Sequence, residues 1–374
     1  MNKKHPRLLA LDVFRGLTVA LMILVNSPGD KITYSWLTHS SWHGCTLADL
    51  VFPFFIFIVG VSLTFTLTKA RAQHVSFQNL LQKIFRRSIL LFLIGLALNL
   101  FPHFDFTTLR FFGVLQRIAI CYFFASLIFL TTRPQTQAFI LFAILIIYWF
   151  LLTKIPVPFY GANHLTPSEN LAAFLDRLLF SSLHLYGKVY DPEGLLSTLP
   201  AIATALLGNL TGFWLLSIRS KKQKLTGLCC AGTLLAIFGW LWGMEFPLNK
   251  ALWTSSYVLW TGGLALFVLA ICYWLIEVKN WEHWIEPFKI FGTNAMLAYV
   301  LHVFFLKVQA MIIFQGADGS TSNVKQLITQ WLFGWVSSPM SSFLYALSYT
   351  GLWLGVLWLV AKQKTLTQSA FNQT

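Results

Sequence analysis

Charge is scarce in this chain of 374 residues, and acid is scarcest. Only 11% of the residues are charged, with 13 Asp and Glu against 27 Lys and Arg. Soluble domains carry about 25% charged residues. A chain this poor in charge cannot keep its surface wet, so a soluble enzyme and a disordered protein are both excluded. Cysteine is sparse as well. Cys45, Cys121, Cys229, Cys230 and Cys272 make an odd count without a CxxC pair, and the last four fall inside apolar runs. That excludes a secreted disulfide scaffold and points to no metal site. Repeats of 20–50 residues and low-complexity segments are lacking too, so residues 1–374 are read as one domain.

What is abundant is apolar surface. Hydrophobic residues make up 56%, Phe alone contributes 35 and Trp 15, and mean hydropathy is +0.66. A spanning helix needs about 20 mostly apolar residues. The candidates are 8–27, 48–68, 88–102, 112–131, 136–153, 195–218, 226–244, 254–276, 290–310 and 341–361. The expected fold is therefore an all-α polytopic membrane protein of about ten spans. The runs are long and continuous, which excludes a transmembrane β-barrel. Segment 324–336, with Trp331 and Trp335, is too short to span and is expected at an interface. The basic start Met1–Arg7 imitates a signal peptide. The following run carries Asp12 and Arg15 and lacks a small-residue cleavage site, so it is read as a retained first helix.

The net charge of +14 is mostly topology. With the N-terminus in the cytoplasm, the inner loops and ends hold 17 Lys and Arg, among them Lys3, Lys4, Arg7, Arg86, Arg87 and Lys364, and the outer loops hold eight. The positive-inside rule then puts both termini in the cytoplasm and removes the need for a nucleic-acid partner. The longest outer loop, 154–194, carries Tyr186 and Tyr190 and is long enough to be functional or locally folded.

Ionisable residues inside spans are costly and mark function by default. Asp12, Arg15, Asp49 and Arg117 are the four. Asp12 and Arg15 are three apart, hence neighbours on one helix face: a self-neutralising pair, or a fork that meets an anionic ligand from the cytoplasm. Arg117 serves an interhelical hydrogen bond or a ligand. The densest polar stretch is 26–49, with Asn26, His39, Trp42, His43, Cys45 and Asp49. The i,i+4 histidines allow a metal, but Gly44 argues against a regular helix there and no third ligand is obvious. Cys45 lacks a positive neighbour to make it a nucleophile. A histidine base oriented by Asp49 fits better, and interfacial histidines beside Trp42 are the bland alternative.

The blocks ALDVFRGLTVALMILVNSPG, HSSWHGCTLADLVFPFFIFIVG, FFGVLQRIA, YDPEGLLSTLPAI, PLNKALWTSSYVLWTGG and FGTNAMLAYVLH resemble, in the same order, the membrane domain of heparan-alpha-glucosaminide N-acetyltransferases and their NagX-type bacterial relatives. The resemblance runs from about residue 8 to 305. It implies a transmembrane acyltransferase in a bacterial inner membrane, taking acetyl-CoA from the cytosol and delivering acetyl to an amino sugar or glycan on the far side. It places the catalytic histidine on His39 rather than His43, and matches Asn26 and Asp49 to site positions. The wider acyltransferase-3 group has a histidine where Asn26 stands, with ten residues between it and Arg15, so the chemistry is expected at His39. CoA is anionic, so Arg15 with Asp12, Arg86, Arg87 and Arg117 become expected donor contacts. Trp42, Tyr186 and Tyr190 become expected acceptor contacts. No metal is implied, lipid surrounds the spans, and a homodimer is open. Transfer direct to the amine and transfer through acetyl-His39 both remain open. So does a transporter of N-acetylglucosamine without catalysis, although no duplicated half is visible.

Overall fold

The computed structural model describes residues 8–315 and 321–371, with side chains described up to 363. Lys3, Lys4, Arg7 and the side chain of Lys364, all part of the inner-loop charge count, lie outside the described residues. The protein is an all-α polytopic membrane protein. Its helices are α1 (Leu9–Asn26), α2 (Leu47–Ala72), α3 (Phe77–Leu100), α4 (Val114–Thr131), α5 (Pro134–Lys154), α6 (Leu171–Phe180), α7 (Thr198–Leu216), α8 (Lys221–Gly243), α9 (Ser255–Tyr273), α10 (Glu286–Thr293), α11 (Ala295–Met311), α12 (Val324–Phe333) and α13 (Ser338–Phe371). A short antiparallel pair, β1 (Ile313–Gln315) and β2 (Thr321–Asn323), registers Phe314 against Ser322.

Among the described residues, eight helices are long and apolar enough to cross a membrane, or nine if α10 and α11 count as one. Those two bend by 80° at Asn294, so the run expected as one span over 290–310 is broken. The remaining expected segment, 88–102, is the second half of α3. That helix begins at Phe77, with Ser76 accepting from Asn79 N. Its first half carries Lys83, Arg86 and Arg87, all exposed, and their charge drops the helix out of a count based on hydropathy. Segment 324–336 is mostly α12, with an Asn323–Gln326 capping box and Trp331 and Trp335 exposed. The loop 154–194 folds locally around α6 and a 3-10 turn, Ser182–His184.

The chain divides into two compact units. The first contains Ser40–Cys45 and Phe52–Trp274. Its helices approach closely through glycine. A Cβ on Gly60 would fall 2.0 Å from Ala205 O, and one on Gly208 would fall 2.1 Å from Phe57 O. Helix association in lipid depends on such close backbone packing. Tyr148, Leu152, Leu171, Phe246 and Leu252 form a buried cluster against which Trp42 and Trp149 pack.

The second unit contains Leu8–His39, Thr46–Val51 and the chain from Leu275 onward. Here α1 crosses α10 by the same device. A Cβ on Gly292 would fall 2.1 Å from Asp12 O. Helix α13 packs on α1. The loop after α1 is tied to α13, with Gly29 N donating to Ser342 O and Asp30 N to Ser342 Oγ, both at 3.2 Å.

Candidate active site

The site begins with a helix cap. Thr46 precedes α2, and Asp49 sits in the first turn, the spacing at which a carboxylate reaches back to the helix start. Asp49 Oδ2 accepts from Thr46 N and Thr46 Oγ1, each at 3.1 Å. The other oxygen, Oδ1, lies 2.8 Å from His39 Nδ1. The carboxylate is buried, while half of the His39 side chain is exposed. One residue therefore caps the helix with one oxygen and orients a histidine with the other.

The segment bearing His39 is held just as locally. A 3-10 turn, Ser35–Leu37, buries Leu37, and Thr38 Oγ1 closes back on Ser35 O at 2.8 Å. Thr46 Oγ1 reaches Thr38 O at 2.7 Å. A carboxylate at Nδ1 favours the tautomer with its proton there, which leaves Nε2 as the basic nitrogen and stabilises the imidazolium once formed. This is the arrangement of a general base and its orienting group.

His39 lines a cavity of about 250 Å³ together with Leu24, Val25, Pro28, Thr33, Leu37, Thr38, Ser342, Phe343 and Ala346. Helix α13 supplies the last three. The wall is mostly apolar, with hydroxyls at three points beside the imidazole of His39.

The structure brings His39 and Asp49 together and places the other expected residues as follows. Asn26 ends α1 with an exposed amide that makes no hydrogen bond among the described residues. It lies next to Val25, which lines the cavity. Arg15 donates to Asp12 at 3.2 Å and to Gly292 O at 3.3 Å. Arg86 and Arg87 are exposed, and Arg87 lies over the Tyr122 ring at 4.9 Å. Arg117 is fully buried. It donates to Ser197 Oγ and Gly194 O and rests 5.1 Å from the Trp253 ring, while its Nε and Nη1 have no partner among the described residues. Trp42 donates its indole N–H to Leu165 O at 2.7 Å and meets Tyr190 edge-on at 5.0 Å. Tyr186 is exposed, with Arg110 4.7 Å from its ring. His43 follows the same loop, where Gly44 takes φ +119°; its Nδ1 lies 3.4 Å from Asn249 Nδ2, and burial lowers its pKa.

Sequence reasoning missed three features. Thr46 was legible, since a Thr-x-x-acid start before an apolar run is a capping signature. The wall from α13 was not, because nothing local marks Ser342 or Phe343 as neighbours of residue 39. It also missed a network in the first unit. Arg110 grips Asp191 with Nε at 2.8 Å and Nη2 at 2.6 Å, and Nη2 also reaches Glu193. Both carboxylates are buried. Burial alone would lower the Arg110 pKa, but these bonds and charges outweigh it and raise it. Asp176 accepts from Leu195 N at 2.9 Å, and burial pushes its carboxyl up to about 6.

Residues 7–240 match the family described as heparan-alpha-glucosaminide N-acetyltransferase, catalytic. The human heparan-alpha-glucosaminide N-acetyltransferase is 32% identical over 362 residues, covering 80% of this chain and 53% of the human protein. The mouse protein of the same name is 32% identical over 358 residues, covering 79% and 53%. The chain thus spans about half the length of the curated relatives it matches. On the extent of these matches, the chain belongs to the heparan-alpha-glucosaminide N-acetyltransferase catalytic family.

Proposed function

We propose that this protein is a membrane-embedded acetyltransferase that moves acetyl from acetyl-CoA to the primary amine of a glucosamine-type sugar, with His39 as its base. The observation that carries the reading is the His39–Asp49 pair, with a buried carboxylate on Nδ1 and the imidazole half exposed at a cavity. The names of its relatives support the reaction class.

In the step we propose, the amine nitrogen attacks the thioester carbonyl carbon. A C–N bond forms while His39 Nε2 takes the amine proton. The tetrahedral intermediate collapses, the C–S bond breaks, and the CoA thiolate recovers the proton from the imidazolium. Asp49 holds the tautomer and stabilises the transient charge. Asn26 donates to the oxyanion, a contribution often worth about 3–4 kcal/mol. Its amide has no other partner among the described residues, which leaves it available for that bond. An acetyl-His39 intermediate uses the same residues in two steps, the imidazole attacking first and the amine displacing it second.

Arg15, oriented by Asp12, with Arg86, Arg87 and Arg117 are the proposed donor contacts. Trp42, Tyr186 and Tyr190 are the proposed acceptor contacts. We read the chain as one domain in a bacterial inner membrane, both termini cytoplasmic, with acetyl-CoA bound from the cytoplasm and the acceptor on the periplasmic side.

The test uses the purified full chain in nanodiscs with labelled acetyl-CoA and glucosamine. N-acetylglucosamine and free CoA should appear in equal amounts. No transfer to glucosamine or any other amino sugar, with sugar uptake by proteoliposomes instead, replaces the enzyme with a transporter.

A further inference from the structure

We infer that Trp36, with Tyr34 and Phe343, forms the stacking face for the sugar ring of the acceptor at the His39 cavity. The inference rests on the reading of His39 as the base that receives the amine, and it names where the ring carrying that amine lies.

Phe343 joins the two features. It is part of the cavity wall with His39, Thr38 and Ser342. Its ring also lies 6.2 Å from Trp36 and 6.3 Å from Tyr34. Tyr34 and Trp36 stack at 6.0 Å with 24° between their planes. The aromatic cluster is therefore continuous with the cavity that contains His39.

Trp36 is also held in place by the chain. It is the middle residue of the turn Ser35–Leu37, three residues before His39, and Leu37 is buried and lines the cavity. Despite that anchoring, 49% of Trp36 is exposed, and its indole N–H makes no hydrogen bond among the described residues. The other aromatics proposed for the acceptor also have ring partners, and in Trp42 the indole N–H is used as well. Trp42 spends its N–H on Leu165 O and its ring edge on Tyr190, and Arg110 covers a face of Tyr186.

A pyranose offers a face of C–H groups that packs on the exposed part of the indole. The hydroxyl oxygens of Thr33, Thr38 and Ser342, which donate to carbonyls of the chain, keep acceptor capacity for a sugar hydroxyl. The competing role for an exposed Trp in a membrane protein is an anchor at the lipid headgroups. An anchor would not discriminate between the two substrates.

The test compares Trp36→Ala, Trp36→Phe and Phe343→Leu with wild type, as the full chain in nanodiscs. Trp36→Ala should raise the KM for glucosamine roughly tenfold or more. The KM for acetyl-CoA should stay within about twofold, and Trp36→Phe should recover most of the acceptor affinity. An unchanged glucosamine KM in a Trp36→Ala protein that inserts normally overturns the inference. So does a rise confined to acetyl-CoA, which would put the donor arm on the ring. If Trp36→Ala fails to accumulate, Trp36→Phe and Phe343→Leu carry the same comparison with smaller shifts. If wild type transfers acetyl to no amine, the enzymatic reading fails by itself. The ring is then judged by glucosamine binding through tryptophan fluorescence, where a response in wild type that is absent in Trp36→Phe supports it, and equal or absent responses overturn it.

Discussion

Two polar clusters in this apolar chain invite comparison: His39 with Asp49 and Thr46 in one unit, and Arg110 with Asp191 and Glu193 in the other. Both bury carboxylates. In the arginine cluster the charges meet their opposites: a bidentate fork on Asp191, a further bond to Glu193, backbone N–H groups of Tyr186 and Glu193 on Asp191, and an aromatic ring under the guanidinium. In the histidine cluster the carboxylate is satisfied, but the imidazole it orients remains half exposed at a cavity. A network closed on itself specifies structure, and breaking it is costly. A histidine oriented by a buried carboxylate and half exposed at a cavity is placed for chemistry. The difference predicts that one cluster, when cut, loses the reaction and the other loses the fold.

The largest expected effect is on the reaction. His39→Ala should lower acetyl transfer by about 10²–10⁴, the usual share of a general base. The protein should still insert, melt near the wild-type temperature and bind acetyl-CoA. Steady-state rates with parallel donor binding check this, and a fully active His39→Ala protein would sink the reading. Asp49→Asn should follow it closely, because an amide that donates to Nδ1 stabilises the wrong tautomer. It should also loosen the start of α2, since Thr46 N and Oγ1 share the other oxygen. Asp49→Glu would separate the two jobs. A melting temperature that recovers without the rate would show that orientation matters beyond the cap.

Arg110→Ala sharpens the comparison from the other side. Leaving Asp191 and Glu193 buried without their cation should cost about 3–5 kcal/mol of stability. Accumulation and thermal unfolding should fall, and residual folded protein should keep a normal donor affinity. A stable Arg110→Ala protein with lost acceptor binding would move the arginine cluster into the active site.

How much of this was legible beforehand follows from the range of the interactions. The helices were readable because lipid demands long apolar runs, and each expected span has a helix on it. The bend at Asn294 was marked only by the short polar triplet Gly292–Asn294, which a run-length reading of an apolar segment passes over. The start of α3 was hidden because Lys83, Arg86 and Arg87 disguise a helix as a loop. Asp49 beside His39 was foreseeable because a histidine base needs a carboxylate to orient it and both lie in one dense polar stretch, 26–49. Ser342 and Phe343, about 300 residues further along, carry no local mark of their place on the same cavity. Arg117 stood out by its charge inside a span, but nothing in the sequence announced that Ser197 and Gly194 O would receive it.

A smaller effect distinguishes the clusters through pH. Asp176 is buried in the unit that holds the arginine network, and its carboxyl is raised to about 6 from an ordinary 3.8. Between those values the unfolded chain has released the proton and the folded chain keeps it. Stability from this group is therefore fully present below about 4 and is lost as pH rises through about 6. Asp176→Asn removes that titration while keeping an oxygen to accept from Leu195 N. The difference in melting temperature between variant and wild type should shift in favour of the variant across that window and be flat above it. A difference that does not vary with pH would mean that Asp176 is ionised in the fold throughout.

The smallest effect is expected at His43, the test that separates two histidines four residues apart. His43 has Asn249 Nδ2 at 3.4 Å from its Nδ1 rather than a carboxylate, and burial lowers its pKa, so it is neutral at pH 7. Without an acidic partner it lacks the group that would fix its tautomer and stabilise its cation, both of which His39 has in Asp49. His43→Ala should therefore keep the rate within a few-fold of wild type, and His43→Asn should be nearer still, since an amide can accept from Asn249. Rates for both variants between pH 5 and 8 decide the matter. A dead His43→Ala beside an active His39→Ala would transfer the base to residue 43 and leave the His39–Asp49 pair as the cap of α2.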